Sequence, residues 1–325
     1  MEEKKAVPSF DKLIVASSPH IRAAETVDRL MWQVIIALIP AAAVSVYFFG
    51  IRSLVLMLVG VASAVLTEAL VQKALKKEIT IADGSAALTG LLLAFNVPAN
   101  APWWMVAVGA AFAIAVVKQT FGGLGANFVN PALAARAFML AAWPQHMTGR
   151  FPVPLDSITA ATPLAILKGT ATGTLPSYLD LFIGNVGGVL GETSALALLV
   201  GGAYLIWQKV IDWRTPAGFI GTVALLTWIF GGKGGLFTGD PLYHVLAGGL
   251  ILGAFFMATD YVTSPITPKG RLIFGIGCGF ITVLIRLWGG YPEGVSYSIL
   301  LMNLVVPFLD RWTLPRVYGV TRARA

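Results

Sequence analysis

One cysteine, three histidines and few charges are the scarcities of this 325-residue chain. A single thiol, Cys278 in the run Gly-Ile-Gly-Cys-Gly, cannot ligate an iron–sulfur cluster or close an internal disulfide, and it reads as a small buried hydrophobe. His20, His146 and His244 are scattered without a partner at metal-ligand spacing, so no metal site is legible. No glycine fingerprint for a dinucleotide follows a strand-like run, which removes nicotinamide chemistry from the chain. Charged residues make up only 12% of the chain against 57% hydrophobic, with a mean hydropathy of +0.78. That composition excludes a soluble domain and predicts a polytopic membrane protein. The basic residues behind the net charge of +7 are spread over loop ends and form no aromatic-interleaved stripe, so nucleic acid is not the expected partner. A signal peptide is not expected either. The polar start is long and mixed in charge, and Met31 opens a full-length span without a small-residue cleavage site.

What is present is a series of apolar runs. Stretches of spanning length cover 31–50, 53–72, 102–117, 194–211, 215–231, 242–259 and 271–288. Shorter ones at 84–98, 127–143 and 295–309 are interrupted by Gly, Asn or Pro and predict broken helices, which are tolerated only against protein or a cavity. The Gly-rich piece from Leu179 to Leu190 reads as re-entrant or interfacial. The expectation is an all-α protein of about ten spans. Residues 1–30 precede a single membrane domain, 31–310, and 311–325 form a tail. Within the domain, 31–143 is the first half, 144–178 a long polar break and 179–310 the second half.

Lys and Arg orient it. With the N-terminus inside, Lys4, Lys5, Lys12, Arg22, Arg29, Lys73, Lys76, Lys77, Lys118, Lys209, Arg214, Lys269, Arg271, Arg311, Arg316, Arg322 and Arg324 fall on the cytoplasmic side. Arg52, Arg150, Lys168 and Lys233 fall outside. This asymmetry predicts both termini in the cytoplasm and the 144–178 break on the extracytoplasmic side.

Two parts of the chain follow one script. Ala86-Ala-Leu-Thr-Gly-Leu-Leu-Leu-Ala leads to Val97-Pro98, a Gly/Ala-rich span, Gly122-Gly123 and a short helix from about Asn127. Val245-Leu-Ala-Gly-Gly-Leu-Ile-Leu-Gly leads to Ser264-Pro265, a Gly-rich span, Gly289-Gly290 and a short helix around Ser296. Pro98 to Gly122 and Pro265 to Gly289 are both 24 residues. The two copies open on opposite sides by the charge count, which predicts a five-plus-five inverted repeat with a ligand site between the halves. Asn127, Asn130 and Asp260 lie near that axis, and their amides and carboxylate suit the uracil-like edge of an isoalloxazine ring. Arg136, Arg286 and Glu293 are ionisable groups at membrane depth, read either as an ion path or as caps on carbonyls freed by helix breaks. Glu68 reads as a solvated or Lys-paired carboxylate near a cytoplasmic helix end.

The polar break contains Asp156-Ser-Ile-Thr159-Ala-Ala161-Thr162-Pro163. Locally, Thr162-Pro163 before Leu-Ala-Ile-Leu-Lys is an N-cap with proline at the first helical position. The wider spacing also resembles the recognition motif of flavin transferases, which move FMN from FAD onto the last threonine. Asp156, Thr159, Ala161 and Thr162 match it, and Ala160 replaces the usual Gly.

Four longer motifs carry a wider resemblance. They are Asp83-Gly-Ser-Ala-Ala-Leu-Thr-Gly, Phe121-Gly-Gly-Leu-Gly-Ala-Asn-Phe-Val-Asn-Pro, Met257-Ala-Thr-Asp-Tyr-Val-Thr-Ser-Pro and Gly290-Tyr-Pro-Glu-Gly-Val-Ser-Tyr. In this order they resemble the RnfD subunits of Rnf electron-transport complexes and, more distantly, NqrB of the sodium-pumping NADH:quinone reductase. Asp260-Tyr261 departs from the Asp-Pro of that pattern. The resemblance implies a bacterial or archaeal cytoplasmic-membrane complex coupling electron transfer between ferredoxin and NAD to Na+ or H+ movement. It implies covalent FMN on Thr162, a non-covalent riboflavin near Asn127, Asn130 and Asp260, and a flavin transferase for maturation. It further implies partner subunits, namely a flavinylated extracytoplasmic G-type subunit and membrane A/E-type subunits. A small-solute channel of inverted-repeat fold, or a non-redox scaffold, are the competing readings.

Overall fold

The computed structural model describes residues 26–148, 151–152, 159–192, 194–232 and 234–315. Asp156 of the transferase-like motif, His20, Arg150, Lys233 and the outer parts of the two terminal segments, 1–25 and 316–325, lie outside the described residues. Among the described residues the regular elements are helices, apart from one two-residue β pair and an isolated bridge between Pro98 and Val189, as in a polytopic all-α membrane protein.

The first half opens with α1 (Val27–Phe49) and α2 (Ile51–Ala74), joined at Gly50. Then come α3 (Ser85–Phe95), α4 (Trp103–Phe112), which continues as a π-helix over Ala113–Gln119, and α5 (Pro131–Ala142). Of all the described helices, α1, α2 and α13 (Pro268–Trp288) are long and apolar enough to cross a membrane alone. α3 and α5 are half-length, as expected of broken spans in 84–98 and 127–143. The latter begins at Pro131 and not near Asn127, because Asn130 supplies the cap: its Oδ1 accepts from the N–H groups of Ala132 and Leu133.

The connecting region carries α6 (Pro144–Thr148), the antiparallel pair β1 (Phe151–Pro152) and β2 (Thr159–Ala160), then α7 (Pro163–Lys168) and α8 (Tyr178–Ile183). The second half consists of α9 (Ala195–Trp207), α10 (Arg214–Phe230), α11 (Pro241–Leu246), α12 (Leu250–Leu252) running into a π-helix at Gly253–Met257, α13 and α14 (Val295–Thr313). Two expectations are reversed here. The run 242–259, expected to be one span, is interrupted at Ala247–Gly249 between α11 and α12. The segment 295–309, expected to be interrupted, is part of one 19-residue helix, Val295–Thr313, which continues through Pro307.

Packing follows the repeat. α2 packs on α3 and α4, and α10 on α11 and α13; α1 meets α9, and α5 meets α14, pairing corresponding elements of the halves. One close crossing is between α2 and α3, where a Cβ on Gly90 would stand 2.4 Å from the Gly60 carbonyl oxygen. Only glycine permits such an approach, which provides van der Waals contact where lipid offers no hydrophobic drive between helices. The Gly-rich segment after α8 turns inward: Gly187 to Leu190 are buried, and the Leu190 N–H donates to the Val97 carbonyl at the end of α3. Exposed large side chains such as Leu58, Leu66, Leu70 and Ile39 face outward from α1 and α2, as in a helix pair surrounded by hydrocarbon.

Candidate cofactor cavity and buried charge cluster

Thr162 is reached through a chain of local causes. β2 returns the chain antiparallel to β1, with Thr159 opposite Pro152, and delivers Ala161 and Thr162 to the start of α7. There the Thr162 Oγ1 accepts from the Ala165 N–H at 3.3 Å, and Pro163 takes the first helical position, which needs no donor. Leu164 packs with Leu181, Val186, Tyr243 and Ala247 in a small apolar cluster that seats α7 on α8 and α11. Lys168, at the other end of α7, donates to the carbonyls of Ile285 at 3.2 Å and Tyr291 at 2.9 Å, and also to that of Gly289. It thereby caps the C-terminus of α13. Partial burial lowers the Lys168 ammonium below the ordinary lysine range.

Thr162 lines a cavity of about 1140 Å³, together with Ala161, Arg136, Glu192, Glu293, Ser296 and Tyr297. A small-molecule pocket ordinarily spans about 300–1,000 Å³, so this space is large enough for a flavin nucleotide. Its chemistry fits one as well, with guanidinium, hydroxyl and backbone groups beside an apolar wall.

At its inner end four charges meet. Arg136 of α5 donates to Asn96 Oδ1 at 2.9 Å and Ser296 Oγ at 2.7 Å, with Glu192 Oε1 at 3.8 Å. Arg286 of α13 pairs with Glu293 at 3.1 Å and donates to the carbonyls of His244 and Ala247, which the break between α11 and α12 leaves free. Glu293 also accepts from the Gly249 N–H at 3.2 Å. Gly248 makes this possible: its φ is +74, and a Cβ there would stand 2.1 Å from Glu293 Oε2. Sequence reading singled out Arg136, Arg286 and Glu293 but missed Glu192, which looks like an ordinary loop acid after a glycine-rich run.

Asn127, Asn130 and Asp260 do converge, lining a void of about 70 Å³ with Lys118, Ser85 and Tyr261. Their polar groups are engaged with the protein. Asn127 Nδ2 donates to the Val129 carbonyl at 3.1 Å, Asn130 Nδ2 to the Met257 carbonyl at 3.3 Å, and Asp260 accepts from Thr263 Oγ1 at 3.0 Å. The void in this chain alone does not fit a riboflavin. Next to it Glu68 is 1% exposed and pairs with Lys118 at 2.7 Å, with Gln119 donating to the same carboxylate. Glu68 is therefore Lys-paired and buried, and Lys118, counted above as a loop-end cation, lies inside the protein.

These features define a class: a helical membrane protein with broken spans around a cavity of cofactor size lined by both polar and apolar groups. The chain belongs to the NQR2, RnfD, RnfE family, whose model matches residues 14–319. It is 57% identical over 315 residues to the D subunit of the Na(+)-translocating ferredoxin:NAD(+) oxidoreductase complex of Acetobacterium woodii, covering 96% of this chain and 97% of that one. Against the D subunit of the proton-translocating ferredoxin:NAD(+) oxidoreductase complex of Clostridium ljungdahlii it is 50% identical, covering 95% and 96%. The D subunit of the ion-translocating oxidoreductase complex of Escherichia coli is 39% identical, covering 94% and 98%.

Proposed function

We propose that this chain is the D-type membrane subunit of an ion-translocating ferredoxin:NAD+ oxidoreductase complex of the cytoplasmic membrane, carrying FMN in phosphoester linkage on Thr162. The observation that carries the flavin reading is that the hydroxyl completing the transferase motif stands at the wall of the large cavity. A flavin transferase would join the Thr162 oxygen to the phosphorus of the FMN half of FAD and release AMP. Once bound, the group supplies one- and two-electron transfer, and the protein holds and tunes it. Arg136, Ser296 and Tyr297 are the polar groups placed to meet the ring or its ribityl chain. Electrons would arrive from a flavinylated extracytoplasmic G-type subunit and leave toward the A/E-type membrane subunits.

The second, non-covalent flavin belongs to this reading only as an interface ligand. The void at Asn127, Asn130 and Asp260 would enlarge against a neighbouring subunit.

The test is Thr162→Val, with Thr162→Ser as the control that keeps both hydroxyl and cap. Each is co-expressed with a flavin transferase and examined by in-gel fluorescence after denaturation. Thr162→Val should fold and show no fluorescent band; a band persisting at the subunit's mass moves the attachment elsewhere. A band absent from the unsubstituted chain favours the solute-channel or scaffold reading.

A further inference from the structure

Of the two carboxylates at the inner end of the cavity, one is bonded to a guanidinium and two backbone N–H groups, and the other has a backbone hydrogen bond at Val189 but no short ion pair. Glu293 accepts from the Arg286 guanidinium at 3.1 Å, from the Gly249 N–H at 3.2 Å and from the Val295 N–H at 3.4 Å. Glu192 stands 3.8 Å from Arg136, beyond hydrogen-bonding distance, while Arg136 spends its short bonds on the neutral acceptors Asn96 and Ser296. Both acids crowd the same two-glycine break. A Cβ on Gly249 would be 3.0 Å from Glu192 Oε1, and one on Gly248 would be 2.1 Å from Glu293 Oε2. Glu192 is also largely buried, its side chain 9% exposed.

Burial and a like charge nearby both favour the neutral acid, and the arginines and the backbone hydrogen bond at Val189 oppose them. With Arg136, Arg286 and Glu293 charged, the cluster is neutral when Glu192 is ionised and carries one positive charge when it is protonated. The remaining surroundings add little. α3 and α12 contain no titratable residue, α1 carries Asp28, Arg29 and Tyr47 at its ends, and His244 lies behind Arg286.

We infer that Glu192 is a redox-linked proton acceptor, binding one proton when an electron enters the cavity it shares with Thr162 and releasing it when that electron leaves. The inference rests on the FMN placement above. A negative charge arriving in a low-dielectric cavity raises the proton affinity of a buried carboxylate that has no short ion pair to hold it ionised. In the step, one electron would pass from the reductant of the complex, which is oxidised, to the flavin on Thr162, which is reduced, and one O–H bond forms at a Glu192 carboxylate oxygen with a proton given up by solvent hydronium, leaving water. Re-oxidation breaks that O–H bond and returns the proton to water.

The experiment is reduced-minus-oxidised infrared difference spectroscopy on the assembled, flavinylated complex, reduced with dithionite in H2O and in D2O. Covalent flavin is quantified on the same samples. The unsubstituted protein should gain a protonated-carboxyl C=O band on reduction that shifts in D2O. Glu192→Gln should lose it, and Glu192→Asp should show it displaced. Persistence of the band unchanged in Glu192→Gln, or its absence from the flavin-loaded unsubstituted protein, overturns the inference while leaving FMN on Thr162 intact. Absence of covalent flavin from the unsubstituted protein overturns both readings. If Glu192→Gln fails to assemble, Glu192→Asp decides: a band left at its original position is the overturning result.

Discussion

Asn130 shows how a single residue can serve the fold while resembling a ligand. Its carbonyl oxygen caps α5, and its amide nitrogen bonds the Met257 carbonyl across the two halves. Asn130→Leu removes the cap and leaves that carbonyl without its donor, so it should lower stability by about 0.5–2 kcal/mol. Thermal unfolding in detergent should show this with or without added riboflavin. Asp260→Asn is the more discriminating variant, since Asn keeps an acceptor oxygen for the turn that the Asp260 carboxylate holds through Thr263 and the Tyr261 and Val262 backbone. If a neighbouring subunit completes a riboflavin site there, the purified complex should release its non-covalent flavin while retaining covalent FMN. Equal loss of flavin from both variants would return Asn130 to the role of a ligand. Glu68 belongs to the same scale: desolvated with Lys118 as its partner, it is a group whose isolation would be costly.

At the scale of elements, the breaks in helices create the chemistry. α11 stops at Leu246 and α12 starts at Leu250, and the carbonyls left over draw in Arg286, which in turn fixes Glu293. A continuous helix over 242–259 would have satisfied those carbonyls internally and left no reason to bury a guanidinium. The contact of α2 with α3 does the opposite work, supplying close packing through Gly60 and Gly90. Gly90→Ala places a methyl group 2.4 Å from the Gly60 carbonyl and must part the helices. The cost should be about 1–3 kcal/mol, read as a lowered unfolding temperature in detergent. An unchanged midpoint would mean that α3 shifts freely on α2.

Over the whole molecule, contacts between loops sort themselves into two ends. Arg52 donates to the Asn100 carbonyl, and Lys168 to those of Ile285 and Tyr291, linking segments that the charge count assigns outside. Lys77 donates to the Gly122 carbonyl, and Asp212 pairs with Arg214 and Arg271, linking segments assigned inside. Trp103 and Trp288 are exposed at helix ends of the first group, and Trp207, Trp213 and Trp312 at helix ends of the second, the placement of interfacial aromatic belts. Reporter fusions after residues 150 and 325 should therefore report opposite sides, with 325 cytoplasmic. Both reporting from one side would sink the extracytoplasmic attachment of FMN and the inward electron path together.

Hydropathy and charge by themselves determined the class of this protein, most of its helices and the orientation expected of them, because lipid exposure and loop charge act on residues one at a time. Local spacing was also enough to find Thr162 as a cap inside a transferase-like motif, since a cap and its helix lie within a single turn of one another. The break at Ala247–Gly249, the burial of Lys118 beside Glu68 and the meeting of Arg136, Glu192, Arg286 and Glu293 were decided only in three dimensions. Those groups come from segments far apart in the chain, and their ionisation and hydrogen bonding depend on which partners the closed fold brings into contact. Pairing energies of that kind have no local signature in a sequence.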